Sequence, residues 1–188
     1  LLADRRERGV DTVVMEVSSH AMSFGRVNGI AFDTCVFTNL TQDHLDFHGT
    51  MADYYAAKRS LFDRCESAVV CIDDEWGRRL AVELPNAVTY SCADPAADWC
   101  ASAVQPADSG SRFELQGPGG LQTVAAVALP GDFNVANAVG AIATAHTLGV
   151  PTHTAIEGVA ACAGVPGRMQ PVANQRGLRA FVDYAHTP

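Results

Sequence analysis

Short apolar runs alternate along the chain with segments of helical periodicity, and this alternation restricts the fold more than any other feature. The runs are residues 12–17, 33–40, 67–73, 86–91 and 177–184. They are rich in β-branched residues and have no polar face, which is typical of strands covered on both sides of a sheet. The helical patterns fall at about 51–65, 74–84, 133–148 and 152–162. This order predicts an α/β fold, with a mostly parallel sheet flanked by helices and joined by right-handed crossovers.

The stretch from residue 98 to residue 129 departs from this pattern. Gly117, Pro118, Gly119 and Gly120 separate two runs, SRFELQ and LQTVAAVAL. Glycine and proline favour a tight reversal, and both runs favour strands. We therefore predict an antiparallel hairpin, a small β excursion on the α/β body.

Composition excludes several classes of protein. With 48% apolar and 18% charged residues among 188, the chain has enough material for a packed core. A formal net charge of −8 argues against non-specific binding of nucleic acid or acidic membranes. The six cysteines form no CxxC pair, which favours reduced thiols in a cytoplasm. No run reaches the roughly 18 to 20 apolar residues of a membrane span and residues 1–9 lack the order of a signal peptide, so we expect a soluble, intracellular protein.

Polar residues close several predicted strands, at the edge where open α/β sheets bind their ligands. They are Glu16 with Ser18, Ser19 and His20; Thr38, Asn39 and Thr41; Asp73 and Asp74; and Asp183. Helix capping and turn formation are the ordinary roles of such residues, notably of Ser18 and Asp74. Glu16 differs, because a carboxylate near the end of a buried strand needs a cation, a metal ion or a hydrogen-bond donor to offset its desolvation.

The densest polar cluster is TNLTQDHLDFHG, residues 38–49. Within it, Asp43, His44, Asp46 and His48 offer carboxylate oxygens and imidazole nitrogens over six positions. This set of oxygen and nitrogen donors favours a Mg²⁺ or Mn²⁺ site over a thiolate-ligated zinc site. Loop capping is the alternative role for the same residues.

A predicted helix follows this cluster, and Lys58 lies on its apolar face. Thr50 and Asp53 form a start that resembles a capping box. Apolar positions then recur at spacings of three and four: Met51, Tyr54, Tyr55, Leu61, Phe62 and Cys65. Such a lysine either extends its ammonium group to the surface or is buried as a neutral amine. A neutral amine reacts with CO₂ to give a carbamate, a carboxylate that binds metal ions.

A second candidate helix covers residues 131–150. Val135, Val139, Ile142 and Leu148 form its predicted core face. Asn134 and Asn137 lie one turn apart at its start. These amides act either as an N-cap and a solvated side chain or as partners for the polar edge of a nucleotide base.

Six segments occur in the order and approximate spacing of one enzyme family, and through them the chain resembles the Mur ligases. The segments are MEVSSH (15–20), TNLTQDHLDFHG (38–49), YAAKRSLF (55–62), PGDFNVANAVGAIA (130–143), PGRMQPV (166–172) and FVDYAHTP (181–188). The resemblance extends from residue 12 to residue 188. A single short motif of this kind can arise by chance, but six motifs in the same order and spacing argue against coincidence.

The resemblance implies an ATP-dependent, Mg²⁺-dependent amide ligase of peptidoglycan synthesis. The branch that it matches adds the third residue of the stem peptide, meso-diaminopimelate or L-lysine, to UDP-MurNAc-L-Ala-D-Glu. ATP phosphorylates the D-Glu carboxylate and the diamino acid attacks the acyl phosphate, while metal ions neutralise the two anions that meet. The alanine-rich composition weakly favours diaminopimelate.

The resemblance also implies roles for residues that bind metal and substrate. Glu16 and His44 match Mg²⁺ ligands, and Lys58 matches the carbamylated lysine that supports the second metal ion and the substrate. These three are the implied catalytic residues. Ser18 and Arg26 match positions that hold the UDP-MurNAc-dipeptide.

Five further residues match the nucleotide site of the family. Asn134 and Asn137 fall where the family approaches adenine. Arg168 and Asp183 fall where it approaches the phosphates and the ribose. His186, in DYAHTP, matches a position next to the nucleotide.

The chain departs from the family pattern in two places. Phe24 stands where many relatives carry a glutamine that contacts the sugar nucleotide, so that contact is absent or supplied elsewhere. The glycine-rich phosphate loop, which in the family precedes the first matched motif, is not in the chain. We therefore expect a fragment, inactive alone: residues 1–166 as the later part of the central ATPase domain, and residues 167–188 as a linker and the first strand of the C-terminal domain.

Other functions are compatible with parts of the pattern. A sister Mur ligase or a folylpolyglutamate synthase would share the TN-D-H and lysine elements. A non-catalytic homologue that binds nucleotide or a cell-wall precursor would need neither the metal ligands nor Lys58. A hydrolytic metal site on His44, Asp46 and His48 would leave Lys58 without a role.

Overall fold

The structure, a computed structural model, describes residues 2–42, 45–107, 110–178 and 180–184. Its α-helices are α1 (Leu2–Glu7), α2 (Ser19–Ser23), α3 (Leu45–His48), α4 (Met51–Arg59), α5 (Glu75–Glu83), α6 (Asp132–Thr147) and α7 (Thr152–Ala160). Its strands are β1 (Phe32–Phe37), β2 (Cys65–Cys71), β3 (Val88–Ser91), β4 (Trp99–Ala107), β5 (Gly110–Gly117), β6 (Leu121–Val127), β7 (Gln170–Pro171) and β8 (Phe181–Val182).

The chain divides into two compact units. The first comprises Leu1–Ala31 and Asp43–Arg64, and the second comprises Phe32–Gln42 and Cys65–Pro188.

A six-stranded sheet organises the second unit. Its strand order is β1-β2-β3-β4-β5-β6. Strands β1 to β4 pair in parallel, whereas β4, β5 and β6 pair antiparallel. The predicted α/β fold with a mostly parallel sheet is therefore confirmed, and the runs at 33–40, 67–73 and 86–91 contain its first three strands.

The predicted β excursion extends the main sheet itself. SRFELQ and LQTVAAVAL form β5 and β6 around the 3₁₀ turn Pro118–Gly120. Gly119 and Gly120 have φ values of 71° and 76°, which L side chains rarely adopt. The hairpin joins the parallel strands through β4, which pairs with β3 on one side and with β5 on the other. The sequence pattern did not indicate β4.

Helix α6 covers the sheet and forms the core with it. Val139 and Ile142 of α6 are fully buried. They belong to one apolar cluster with Val69 of β2, Trp99 of β4 and Phe113 of β5. Burial of such side chains stabilises the fold by about 1.5–3 kcal/mol each. The core thus fixes α6 across the strands.

The four predicted helices are confirmed. They are α4 with the 3₁₀ turn Ser60–Arg64, α5, α6 and α7. Asp74 begins α5 as its N-cap and accepts a hydrogen bond from Gly77 N at 2.7 Å. The longest described helix, α6, has 16 residues. None of the helices described is long and apolar enough to cross a membrane.

The strand predicted at residues 12–17 is wrong. These residues form neither helix nor strand, and Val13 and Val14 are 50% and 93% exposed. A strand requires a neighbour that accepts and donates its backbone hydrogen bonds. The segment pairs with no described strand, so its apolar composition alone does not produce a β conformation.

The parallel strand predicted at residues 177–184 is also wrong. Of the residues described in this range, Phe181–Val182 alone form a strand, β8, and it pairs antiparallel with β7 in a separate two-stranded sheet. Both strands are exposed. The ladder has only two residue pairs, Gln170 with Val182 and Pro171 with Phe181.

The regular elements described in the first unit are all helices or 3₁₀ turns. Helix α4 packs against α2 and α3. Tyr54 and Tyr55 of α4 and Phe62 of the following 3₁₀ turn are buried. Arg64 donates a hydrogen bond to the carbonyl oxygen of Val27 at 3.3 Å. A small aromatic core therefore holds the helices of this unit together.

Gly77 marks a close approach of α5 to β2. A Cβ at this position would lie 1.8 Å from the carbonyl oxygen of Cys71. Because backbone must move to admit a methyl group, we expect Gly77→Ala to lower the free energy of unfolding by about 1–3 kcal/mol. Urea denaturation followed by tryptophan fluorescence measures this change.

Gly158→Ala is the matched control in another helix. Gly158 is exposed in α7, and no heavy atom lies within 4 Å of a Cβ built there. Alanine has the higher helix propensity, so we expect a gain of about 0.5–1 kcal/mol. Equal effects of the two substitutions would contradict the close packing of α5 on β2.

Candidate active site

The structure describes two of the three predicted metal-site residues, and both lie in the first unit. Glu16 is exposed in the irregular segment before α2, and Lys58 is half-buried on α4. His44 and Asp43 lie outside the described residues. Among the residues described, no three His, Cys, Asp or Glu side chains converge on a metal position.

Lys58 lies beside an aromatic ring. Its Nζ is 5.4 Å from the centroid of the Tyr54 ring, one turn earlier on α4. Thr50 caps this helix: its Oγ1 accepts a hydrogen bond from Asp53 N at 3.1 Å and donates one to Asp53 Oδ2 at 2.6 Å. The predicted helix start is therefore confirmed, and it fixes the position of Lys58 on the helix.

His48 packs within the first unit. Its Nε2 lies 2.8 Å from Ser19 Oγ, and its ring stacks on that of Tyr54 at 4.9 Å with an interplanar angle of 13°. The ring therefore links α3 to α2 and α4. These contacts give His48 a packing role within the first unit.

The two predicted substrate contacts lie at opposite ends of α2. Ser18 is the N-cap and accepts a hydrogen bond from Ala21 N at 3.2 Å. Arg26 lies three residues beyond the last residue of the helix, and its backbone N–H donates to the carbonyl oxygen of Ala21 at 2.9 Å. Both residues are exposed. The capping role expected for Ser18 is confirmed, and its exposure leaves it accessible to a ligand.

Aromatic rings surround the end of α2. His20, Phe24, Phe47 and His48, here called the aromatic cluster, have ring centroids 4.2 to 6.4 Å from their neighbours. Phe24 is 60% exposed and Phe47 is 41% exposed. Sequence reasoning missed this cluster, because α2 and α3 have five and four residues, too few for a periodic pattern.

The predicted adenine contacts occupy the first turns of α6. Asn134 is buried, and its Nδ2 donates to the carbonyl oxygen of Pro130 at 2.8 Å. Gly131, with a φ of 103°, is the N-cap, so an N-cap role for Asn134 is wrong. Asn137 is exposed. One amide thus anchors the loop before α6, and the other faces solvent.

The small antiparallel sheet brings Arg168 and Asp183, two of the predicted nucleotide contacts, close together. Asp183 Oδ2 accepts a hydrogen bond from Met169 N at 2.7 Å, next to Arg168. The guanidinium carbon of Arg168 lies 5.2 Å from the centroid of the Tyr184 ring. Arg168 and Asp183 are both exposed. His186 lies outside the described residues.

Two adjacent carboxylates at the end of β2 bind backbone and side-chain donors. Asp73 accepts hydrogen bonds from Ser91 Oγ and, at 3.0 Å, from Cys92 N. Besides capping α5, Asp74 accepts one from Leu40 N at 2.9 Å. The ordinary capping role expected for Asp74 is confirmed. These carboxylates join the carboxyl ends of three neighbouring strands.

Two thiols lie near Asp73, those of buried Cys71 and half-buried Cys92. Burial raises the pKa of the Cys71 thiol to about 11 and that of Cys92 to about 12, and the negative charge of Asp73 adds to both shifts. All six cysteines are free thiols. The raised pKa values favour the protonated thiols at neutral pH, which makes both thiols weak nucleophiles.

Comparison with known proteins identifies the family. The model of the Mur ligase middle domain matches residues 1–145. The chain belongs to the Mur ligase family. The resemblance carried by the six sequence motifs is therefore confirmed.

Several Mur ligases similar to this chain are named as 2,6-diaminopimelate ligases. The chain is 46% identical over 195 residues to the UDP-N-acetylmuramoyl-L-alanyl-D-glutamate--2,6-diaminopimelate ligase of Corynebacterium glutamicum, covering 100% of the chain and 37% of that protein. It is 47% identical to the ligase of the same name from Streptomyces coelicolor, with coverages of 99% and 38%. A solved structure of a 2,6-diaminopimelate ligase superposes with a TM-score of 0.83 at 30% identity, covering 92% of the chain and 37% of that structure. The chain thus spans less than two fifths of these relatives.

The raised pKa values predict slow alkylation of the buried thiols in this Mur ligase chain. Only the thiolate reacts, so at pH 8 a thiol with a pKa of about 11 is about two orders of magnitude less reactive than one at the ordinary value of about 8.5. We expect iodoacetamide to label exposed Cys162 well before Cys71 and Cys92. Mass spectrometry of timed digests measures the three rates. Equal rates in the folded protein would contradict the protonated, buried state.

Proposed function

We propose that the protein carrying this chain is an ATP-dependent ligase that joins 2,6-diaminopimelate to UDP-MurNAc-L-Ala-D-Glu in peptidoglycan synthesis. One observation carries the proposal: 46% identity to a 2,6-diaminopimelate ligase extends over the entire chain. Of the two amino acids that the motifs leave open, the names of the relatives favour diaminopimelate over L-lysine. The six free thiols suit a reducing cytoplasm, where we expect the protein to act.

The chemistry explains the need for ATP. A carboxylate does not react with an amine, because its oxygen is a poor leaving group. A D-Glu oxygen attacks the γ-phosphorus of ATP, the bond to the β,γ-bridging oxygen breaks, and ADP leaves. The amine of the diamino acid then attacks the acyl carbon, phosphate departs, and the amine loses a proton. The first step brings two anions together, the carboxylate and the γ-phosphate, so it depends on cationic groups at fixed positions.

The residues proposed to hold Mg²⁺ fit a hard cation by donor chemistry. Glu16 offers carboxylate oxygens that are exposed and bind no described side chain, and oxygen ligands are those that Mg²⁺ prefers. A carbamate on Lys58 would add oxygens from α4, and His44 would add an imidazole nitrogen. Bound Mg²⁺ would supply charge neutralisation between the γ-phosphate and the substrate carboxylate.

Lys58 suits carbamate formation by its surroundings. It is half-buried on α4, so its amine is partly shielded from water. Its neutral amine would attack the carbon of CO₂ and release a proton, leaving a carbamate anion. Lys58 is also the only lysine in the 188 residues, so no other lysine of the chain offers this chemistry.

The remaining proposed contacts belong to the two organic ligands. Ser18 and Arg26, at the two ends of α2, would bind UDP-MurNAc-L-Ala-D-Glu. For ATP, the proposed residues are Asn134, Asn137, Arg168, Asp183 and His186. In this proposal residues 1–166 belong to the central ATP-binding domain, and residues 167–188 form the linker and first strand of the C-terminal domain.

Nucleotide turnover tests the proposal directly. The complete protein is given ATP, Mg²⁺ and UDP-MurNAc-L-Ala-D-Glu, with either meso-diaminopimelate or L-lysine. We expect ADP release that requires both the sugar nucleotide and meso-diaminopimelate. Release with L-lysine alone would change the assigned amino acid. A protein that binds the sugar nucleotide but releases no ADP with either amino acid would be a non-catalytic precursor-binding homologue.

Substitution of Lys58 tests the carbamate. Lys58→Ala removes the only group that forms it, so we expect kcat to fall by about 100-fold or more. Lys58→Arg retains a positive charge but forms no carbamate, and we expect the same loss. Acetate or propionate should restore part of the activity of Lys58→Ala, because a free carboxylate replaces the missing one.

A neighbouring cation is the matched control for Lys58. Arg59 follows on α4 and pairs with Asp63 at the surface, so we expect Arg59→Ala to retain near-normal kcat. Near-normal turnover by Lys58→Arg would show that positive charge suffices and would reject the carbamate.

A further inference from the structure

Phe24 is a large aromatic residue held at the surface. It is the C-cap of α2, and its backbone N–H donates to the carbonyl oxygen of His20 at 2.9 Å. Its side chain is 60% exposed. A phenylalanine contributes most to stability when it is buried. The position of Phe24 is therefore poorly explained by core packing alone.

The aromatic cluster fixes the ring of Phe24. The Phe47 ring lies 5.5 Å away at an angle of 57°, and the His20 ring lies 6.4 Å away. His20 and Phe47 contact each other at 4.2 Å. Two rings from α2 and α3 thus support Phe24 while leaving much of its surface open.

Arg26 lies over the supported ring. Its guanidinium carbon is 5.6 Å from the centroid of Phe24, within the range of a cation–π contact. The backbone of Arg26 is held by Ala21, and its side chain is exposed. No described carboxylate forms an ion pair with it. The ring restricts the guanidinium and leaves its N–H donors available to an anion.

We propose that Phe24 is a positioning residue that orients the guanidinium of Arg26 toward an anionic group of the sugar-nucleotide substrate. The inference rests on the proposed function. A phenyl ring neither donates nor accepts a conventional hydrogen bond, so Phe24 acts through Arg26. A guanidinium binds a carboxylate or phosphate through two parallel N–H bonds, and this geometry requires a fixed plane. A ring in cation–π contact with the guanidinium supplies that restriction before the ligand arrives.

Binding and turnover of the complete protein test this role. Isothermal titration with UDP-MurNAc-L-Ala-D-Glu gives Kd, and steady-state kinetics give kcat and KM for each substrate. We expect Phe24→Leu to weaken binding of the sugar nucleotide between about twofold and thirtyfold, the equivalent of a cation–π contact. Its kcat and its KM for ATP should stay within twofold of wild type. Phe24→Tyr retains the ring and should bind as wild type does.

A double-mutant cycle separates positioning from a general structural role. In an Arg26→Ala background, Phe24→Leu should cause no further loss of affinity, because the residue through which it acts is absent. Trp76→Leu on α5 is the matched control. It removes a similar pair, in which the guanidinium carbon of Arg79 lies 5.9 Å from the Trp76 ring, and should leave sugar-nucleotide binding unchanged.

The outcomes distinguish this inference from the proposed function. Wild-type affinity in Phe24→Leu, an equal loss in the Arg26→Ala background, or a parallel rise in KM for ATP would overturn the positioning role alone. A wild-type protein that neither binds UDP-MurNAc-L-Ala-D-Glu nor releases ADP in its presence would overturn the proposed function, and the inference with it.

Discussion

Packing of α6 against the centre of the sheet is the contact on which the second unit depends. A Cβ at Gly140 of α6 would lie 2.8 Å from Cζ of Tyr90, so the helix backbone meets the ring of β3 directly. Tyr90 is itself 1% exposed. This contact and the apolar face of α6 fix the helix axis and its rotation. Asn134 and Asn137 occupy the first turns of the same helix, so core packing determines where the two amides lie.

At the carboxyl ends of the strands, the carboxylates of Asp73 and Asp74 accept hydrogen bonds that stabilise the fold. Asp73 and Asp74 accept hydrogen bonds from donors that follow β1 and β3 and from the first turn of α5. Buried backbone N–H groups need such partners, and leaving them unpaired costs about 1–3 kcal/mol each. These carboxylates are therefore engaged by the fold. Glu16, Asn137 and Arg168 are exposed, whereas Asp74 is half-buried. Asp73 is exposed, but it already accepts hydrogen bonds from Ser91 and Cys92.

The sequence correctly predicted the structural features that depend on a few neighbouring residues. The cap at Asp74 and the glycine-rich reversal before β6 follow from a few neighbouring residues, and both were predicted. Residues 12–17 and β4 were misjudged because strand formation depends on a partner supplied elsewhere in the chain. The roles of Asn134 and His48 depend on single hydrogen bonds, to Pro130 and Ser19, that no periodicity encodes. Family motifs named the candidate site residues, but they did not reveal the aromatic contacts around Phe24.

Those aromatic contacts connect two candidate site residues of the first unit, Arg26 and Lys58. The Phe24 ring contacts Phe47, Phe47 contacts His48 at 4.8 Å, and the His48 ring stacks on Tyr54. Arg26 lies over the first ring of this series and Lys58 beside the last. Stacked and edge-to-face rings hold their relative orientation at little entropic cost, since each has only two side-chain torsions. The packing that holds α2, α3 and α4 together therefore also fixes the spacing between Arg26 and Lys58. If the proposed function is correct, the aromatic residues of this unit fix the spacing between the arginine that binds an anionic group of the substrate and the lysine that carries the carbamate.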